Sequence, residues 1–256
     1  MGAIFAIAGA TFKESRRQRV LLVVFLLGLL LIGVATAFSG LSTGEEFRFV
    51  VDFGLTGFLL VGVGLACILG GFMIPDEIDR RIVMTVLTKP VSRLQYLLGK
   101  FLGAALVILV VNVLMAIPFI AAYVWKHPLH QFTWVLPLAL VGVYLQSLVL
   151  LAAAMLLSTF SSASFTVIAT GFVFIVGSLN QYLVGLAEHG DSRWNKLVFG
   201  VLAKIIPNFQ NFDLRQALLA GDPVGWPHMG DVLGYTVVYL TLVLAIAWLF
   251  FSEREF

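Results

Sequence analysis

Phe53-Gly-Leu-Thr-Gly-Phe-Leu-Leu-Val-Gly-Val-Gly-Leu-Ala-Cys-Ile-Leu-Gly-Gly-Phe-Met-Ile74 runs for 22 residues without an Asp, Glu, Lys, Arg or His. A bilayer core is about 30 Å thick and an α-helix rises about 1.5 Å per residue, so about 20 apolar residues cross it. A β-barrel strand would need only about 10 residues and would alternate apolar with polar. This run is too long for that and apolar on every side. Five further uncharged stretches flank it: 20–38, 101–125, 135–157, 165–187 and 232–251. Of 256 residues 60% are hydrophobic and 12% charged, about half the charge of a soluble domain. The expected fold is an all-α membrane protein, one domain over 1–256, with six transmembrane helices at 20–38, 53–74, 101–125, 135–157, 165–187 and 232–251.

The charges lie between the stretches, and their distribution gives an orientation. Ten Lys and Arg fall on the side of the N-terminus and six on the other. The positive-inside rule then places both termini in the cytoplasm. The four basic residues between spans five and six oppose this, but long loops obey the rule poorly. The net charge of +2 offers no basic surface for nucleic acid, and none is expected as a partner. Cys67 is single, so no disulfide forms within the chain. Arg16, Arg17 and Arg19, an apolar run and Ala35-Thr36-Ala37 have the order of a cleavable leader. The run is longer than a leader needs and is expected to stay as the first span.

Residues 1–19 place Ile4, Phe5, Ala8 and Phe12 at helical spacing, followed by Lys13, Arg16, Arg17 and Arg19. This pattern predicts an amphipathic helix in the membrane interface, with its cations near lipid phosphate. Gly62, Ala66 and Gly70 form a small-residue stripe, and Gly99 and Gly103 form another. Such stripes let a helix of the same bundle, or of a second copy, approach closely.

The connection 76–98 between spans two and three is long and patterned. Ile78, Ile82 and Val86 repeat every four residues behind Asp76, Glu77, Asp79, Arg80 and Arg81. A short amphipathic helix is expected, stopped at Pro90. Ser92-Arg93-Leu94-Gln95 then fits a capping box that starts the next helix. Such a segment either lies on lipid or docks a cytoplasmic partner. Residues 158–164 form a short serine-rich turn. In 188–231, Trp194, Leu197, Val198, Val201, Leu202 and Ile205 mark one apolar helix face ending before Pro207. Asn211 is a candidate cap for a second helix ending at Gly221.

Catalytic and nucleotide motifs are missing. No GxxxxGK[ST], HExxH or GxSxG occurs. His127 and His130 are three apart, but Pro128 opposes a helix there, so no metal site is expected. No ionisable group lies inside a span to carry a coupled ion or a catalytic pair. The costly amides within spans are Asn112, Gln146, Asn180 and Gln181. They bond neighbouring helices or line a pathway. A chain built to move without an energy source of its own needs a motor on another chain, and 76–98 is the segment patterned to meet it.

Thr11-Phe12-Lys13-Glu14 with Arg16, Arg17 and Arg19 belongs to a familiar pattern. So do Glu77-Ile78-Asp79-Arg80-Arg81, Leu87-Thr88-Lys89-Pro90-Val91-Ser92-Arg93 and Leu98-Gly99-Lys100-Phe101. Together they resemble the ABC-2 type permeases, the membrane subunits of ATP-binding-cassette exporters. The likeness extends over the whole chain and looks closest to permeases of the nitrous-oxide-reductase maturation type. The resemblance implies two permeases, identical or paired, joined to two cytoplasmic ATPases that carry ATP and Mg. This chain would need no cofactor. Residues 1–19 would be the connecting helix in the inner membrane, Asp76–Leu87 the coupling helix, and 188–231 the outer gate. Asp76, Glu77, Arg80 and Arg81 would make the polar contacts with the ATPase, and Ile78 and Ile82 the apolar ones. Ser161 and Ser162 in the turn would make the second contact. The chain departs from polysaccharide and drug exporters in having no aromatic ladder or charged pathway, which leaves the substrate open. The alternative function is a membrane scaffold or assembly subunit that transports nothing; an intramembrane enzyme or lone carrier is disfavoured by the missing charges.

Overall fold

Backbone groups in hydrocarbon find no water, so a chain that crosses it closes its hydrogen bonds within helices. The computed structural model describes residues 2–39, 46–79, 92–126, 134–189, 193–222 and 224–253. These residues are almost wholly helical, with no strand among them. In chain order they form α1 (Gly2–Ser15), α2 (Arg19–Ser39), α3 (Glu46–Asp79), α4 (Arg93–Lys126), α5 (Val135–Ser158) and α6 (Ala163–Ser178). There follow α7 (Asn180–His189), α8 (Arg193–Ile205), a 3-10 turn (Phe209–Phe212), α9 (Arg215–Ala220) and α10 (Trp226–Glu253). Five of the helices are long and apolar enough to cross a membrane, and the pair α6–α7, bent by 59°, is a sixth if it counts as one span. The protein is therefore a multi-pass, all-α membrane protein.

The bundle is organised around α3 and α5, its most extensively packed pair. Small residues permit that approach. A side chain at Gly62 would collide with Ser147, and one at Gly70 with Ala154. The second stripe, Gly99 and Gly103, faces α1 in the same way. Both stripes are thus used inside the chain. From Leu145 to Met155 every residue of α5 is buried. By contrast α2 turns Leu22, Val23, Leu26, Leu27 and Leu30 outward, as a helix does where lipid is as apolar as its own side chains.

Two helices outrun the bilayer. At 34 residues each, α3 and α4 measure about 51 Å against a core of about 30 Å. The sequence reading separates a short helix at Asp76 from span two. The structure instead carries α3 through Pro75 to Asp79 without a break. Proline lacks an N–H, so the carbonyl of Gly71 loses one bond. The helix continues for one further turn past this unmade bond.

The sequence also treats 165–187 as one straight span. It is divided at Leu179, where Ser178 has turned its Oγ back to the Phe174 carbonyl at 2.9 Å. Such back-bonding bends helices. Beyond it, Asn211 does not cap the second helix of 188–231. Asn208 Oδ1 accepts from the Gln210 amide at 3.1 Å to start the 3-10 turn, and Asp213 Oδ1 accepts from Arg215 N at 3.0 Å. Asn211 falls inside the turn that these caps define. The far end is as expected: Gly221, with φ of 73°, takes the left-handed position that closes α9.

Candidate functional site

The capping box at Ser92 forms as its spacing predicts. Ser92 N donates to Gln95 Oε1 and Gln95 N to Ser92 Oγ, both at 3.2 Å. This fixes where α4 begins and what Arg93 can reach. Arg93 Nη1 donates to the carbonyls of Phe251 at 3.0 Å and Ser252 at 2.6 Å. Those carbonyls end α10 and have no helical donor, and a cation also suits the negative end of a helix. Tyr96 stacks on Phe251 one turn further along, with ring centroids 5.6 Å apart. Nothing local in the sequence signals this tie, because Arg93 and Phe251 are 158 residues apart.

The same stretch of α4 receives α1. A Cβ at Gly99 would lie 2.7 Å from Ile7, and one at Gly103 would lie 2.6 Å from Thr11 and 2.8 Å from the Ala8 carbonyl. The face of α1 that meets protein is therefore Ala8, Thr11 and Ser15, all buried. Phe5, assigned by periodicity to the apolar face, is 70% exposed and is left for lipid. Between α1, α3 and α4 lies a cavity of about 240 Å³. Glu14 of α1 and Arg17 just past its end, Ile68, Phe72, Met73 and Asp76 of α3, and Lys100 of α4 line it. Lys100 is only 5% exposed, and its Nζ lies 5.8 Å from the centroid of the Tyr96 ring.

Of the expected partner-contact residues, Asp76 is half-buried and borders this cavity. Glu77 and Ile78 lie on the last turn of α3, and their side chains are outside the described residues. Arg80, Arg81, Ile82, Val86 and Pro90 lie outside them entirely, as do His127 and His130. The turn after α5 is close by. Gly71, five residues before Asp76, packs against Val167 and the Ala163 carbonyl at the start of α6. Phe160 in that turn lies 5.7 Å from Phe250 near the end of α10. Within the turn the hydroxyls are mostly spent. Ser161 Oγ donates to the Leu157 carbonyl at 2.6 Å and pairs with Thr166 Oγ1 at 2.8 Å. Ser162, the N-cap of α6, is exposed and makes no side-chain capping bond. One end of the bundle thus collects α1, the end of α3, the start of α4, the α5–α6 turn and the end of α10.

The four amides divide between two settings. Asn180, 3% exposed, donates from Nδ2 to the carbonyls of Ala203 at 2.9 Å and Ile206 at 3.3 Å. It closes the C-terminal end of α8 and holds the α7–α8 hairpin together. Gln181 is exposed, and its backbone N–H donates to Gln210 Oε1 at 3.3 Å. Asn112 and Gln146 are buried in α4 and α5, and Asn112 Oδ1 has no partner among the described residues. Near Asn180, Phe209 and Phe212 are buried; their turn leans on Gly177 and Gly142, where side chains would strike Phe209 and the Phe212 carbonyl. Arg215 ties this end to α3 through Asp52 at 3.8 Å.

This arrangement defines the class: a helical bundle with long spans, a first helix packed against α4, and a hairpin before its last crossing. Residues 44–251 match the family described as ABC-2 family transporter protein. The chain belongs to that family, as a membrane subunit of an ABC transporter. No curated protein matches its sequence.

Proposed function

We propose that this chain is the permease subunit of an exporter in the inner membrane, driven by a separate cytoplasmic ATPase that binds ATP and Mg. The carrying observation is the gathering of Asp76 and the Ser161–Ser162 turn at one end of the bundle, linked through Gly71 and Ala163. A motor domain needs a contiguous face to push on. A rigid α3 that reaches Asp79 supplies a lever, and a displacement of its tip would reach the packed α3–α5 pair. In this reading Glu77, Arg80 and Arg81 make charged contacts with the ATPase, Ile78 and Ile82 fill its cleft, and Ser162 adds a polar contact. Both termini lie in the cytoplasm. A second permease, the same or a paralogue, completes the pathway.

The test is to tag the chain, extract it in mild detergent, identify what co-purifies and assay ATP hydrolysis. A stoichiometric ATPase is expected, lost or inactive after Arg80→Glu with Arg81→Glu while the bundle stays folded. An ATPase that binds and works unchanged in that variant would refute this contact face. A folded chain that carries a stable partner without ATP dependence would mark it as a scaffold instead.

A further inference from the structure

The first helix runs beside α4 in the same direction: Ile7 lies against Gly99, and Thr11 against Gly103 one turn on. A further turn brings Phe12 and Arg16 to the level of Val107. There α1 ends, the chain turns, and α2 begins at Arg19. At that corner a second cavity, of about 300 Å³, opens between α1, α2 and α4. It shares no lining residue with the cavity between α1, α3 and α4.

The lining is apolar except at one place. Buried Val107 belongs to the floor, Val110 and Leu114 continue along α4, and Leu22 and Phe25 come from α2. Leu22, Val110 and Leu114 are 60%, 41% and 48% exposed. The space is therefore a groove, open along the side where these spans meet hydrocarbon. Arg16 is the one charged residue that lines it. It stands just before the uncharged run that starts at Val20, at the level where a long cationic side chain lays its stem on apolar surface and its head near lipid phosphate. Residues 13–19 hold Lys13, Arg16, Arg17 and Arg19 against a single acid, Glu14. Glu14 lines the other cavity, so no acid borders this groove to oppose an anion.

We propose that the groove seats one acyl chain of an anionic phospholipid, with its headgroup phosphate held by Arg16. The volume is at the low end of the roughly 300–1,000 Å³ that takes a drug-sized ligand. It suits a segment of one chain and leaves the other among bulk lipid. A span from a second copy is a poorer occupant. None of the uncharged stretches carries an acid, so such a span would cover Arg16 and leave its charge without a partner. A lipid seated here bridges the α1–α2 corner to α4, and the seating of the first helix becomes sensitive to the anionic content of its leaflet. This goes beyond the permease role and does not depend on it.

The experiment offers the purified full chain, delipidated in detergent, phosphatidylglycerol or phosphatidylcholine of the same chain length in mixed micelles. Native mass spectrometry and thermal unfolding are the readouts. One phosphatidylglycerol per chain should be retained, with a higher melting temperature, since a ligand of the folded state stabilises it by mass action. Phosphatidylcholine should bind at least about tenfold more weakly. Arg16→Gln should remove that preference, whereas Arg17→Gln, at the other cavity, should keep most of it. Val110→Trp should fill the groove and cut phosphatidylglycerol retention by about tenfold, with the lipid-free chain as stable as before. If Val110→Trp does not fold, Leu114→Trp, at a more exposed position on the same wall, carries the same test. Equal retention of the two lipids, or retention unchanged in the tryptophan variant, overturns the proposal. Equal losses in Arg16→Gln and Arg17→Gln would show diffuse attraction by the basic segment and overturn it as well. A lipid-free dimer that Val110→Trp breaks would assign the groove to a second copy instead. Glycerol phosphate binding as tightly as phosphatidylglycerol would overturn the lipid as the source of the anion.

Discussion

The two ends of the bundle solve the same problem with different materials. Where α1 meets α4, the contact is made by missing side chains: Gly99 and Gly103 admit Ile7 and Thr11, and charges gather at the space beside them. At the opposite end the contact is made by added side chains. Phe209 and Phe212 fill the gap between α5 and α6, and Asn180 ties the hairpin above them. The first end is tightly fitted yet polar, with a cavity and long helices leading out of it. The second is an aromatic plug with its carbonyls capped. Under the proposed function, the first end would receive a push from a partner and the second would stay shut.

The comparison can be broken by substitution. The largest effect is expected from Gly103→Leu. The Ala8 carbonyl lies 2.8 Å from the position of its Cβ, so backbone must move. Overpacking of this kind costs about 1–3 kcal/mol, and thermal unfolding of the purified chain should show a clear drop, with α1 more open to limited proteolysis. If stability is unchanged, α1 is not held by this contact.

Asn180→Ala should come next. It leaves the carbonyls of Ala203 and Ile206 without the amide that caps them, a loss of about 1–3 kcal/mol for buried groups. The signature is local: hydrogen exchange should speed up in α8 and the turn after it, and stay constant in α3 and α5. Uniform exchange changes would mean that the plug and the core unfold as one unit.

The smallest effects sharpen the contrast between two arginines. Arg93→Gln removes bonds to the carbonyls of Phe251 and Ser252, and charge-assisted bonds of this kind are worth about 1.5–3 kcal/mol when well buried. Arg93 is only partly buried, so about 1 kcal/mol is expected, with fraying at the end of α10. Arg215→Gln breaks ion pairs of 3.8 and 4.0 Å to Asp52 and Asp213 that remain partly in water, where about 0–1 kcal/mol is usual. A larger loss at Arg215 than at Arg93 would reverse the ranking of the two ends.

Much of this was legible before any coordinates. The uncharged stretches named the spans, because hydrocarbon tolerates so few alternatives. The box at Ser92 and the glycine at 221 placed helix ends, because capping is a local matter of a few backbone groups. The glycine stripes announced close contact but not with what. For Phe5, periodicity found an apolar face and left its neighbour undetermined, since in a membrane protein the most apolar face can belong to lipid.

By itself, then, the sequence determined an all-α, multi-pass protein, its charge-free spans and several of its helix ends, and it carried the motifs of its family. Each rests on local chemistry: how many apolar residues cross a bilayer, which side chain reaches an orphan amide, which residue accepts a positive φ. Only the tertiary structure decided that Arg93 closes α10, that Asn180 closes α8, that span five is broken at Leu179, and that Lys100 shares a cavity with Glu14, Arg17 and Asp76. These depend on which helices lie side by side. In a bilayer, where every span is equally apolar, hydrophobic pattern does not choose neighbours; steric fit and a handful of polar groups do.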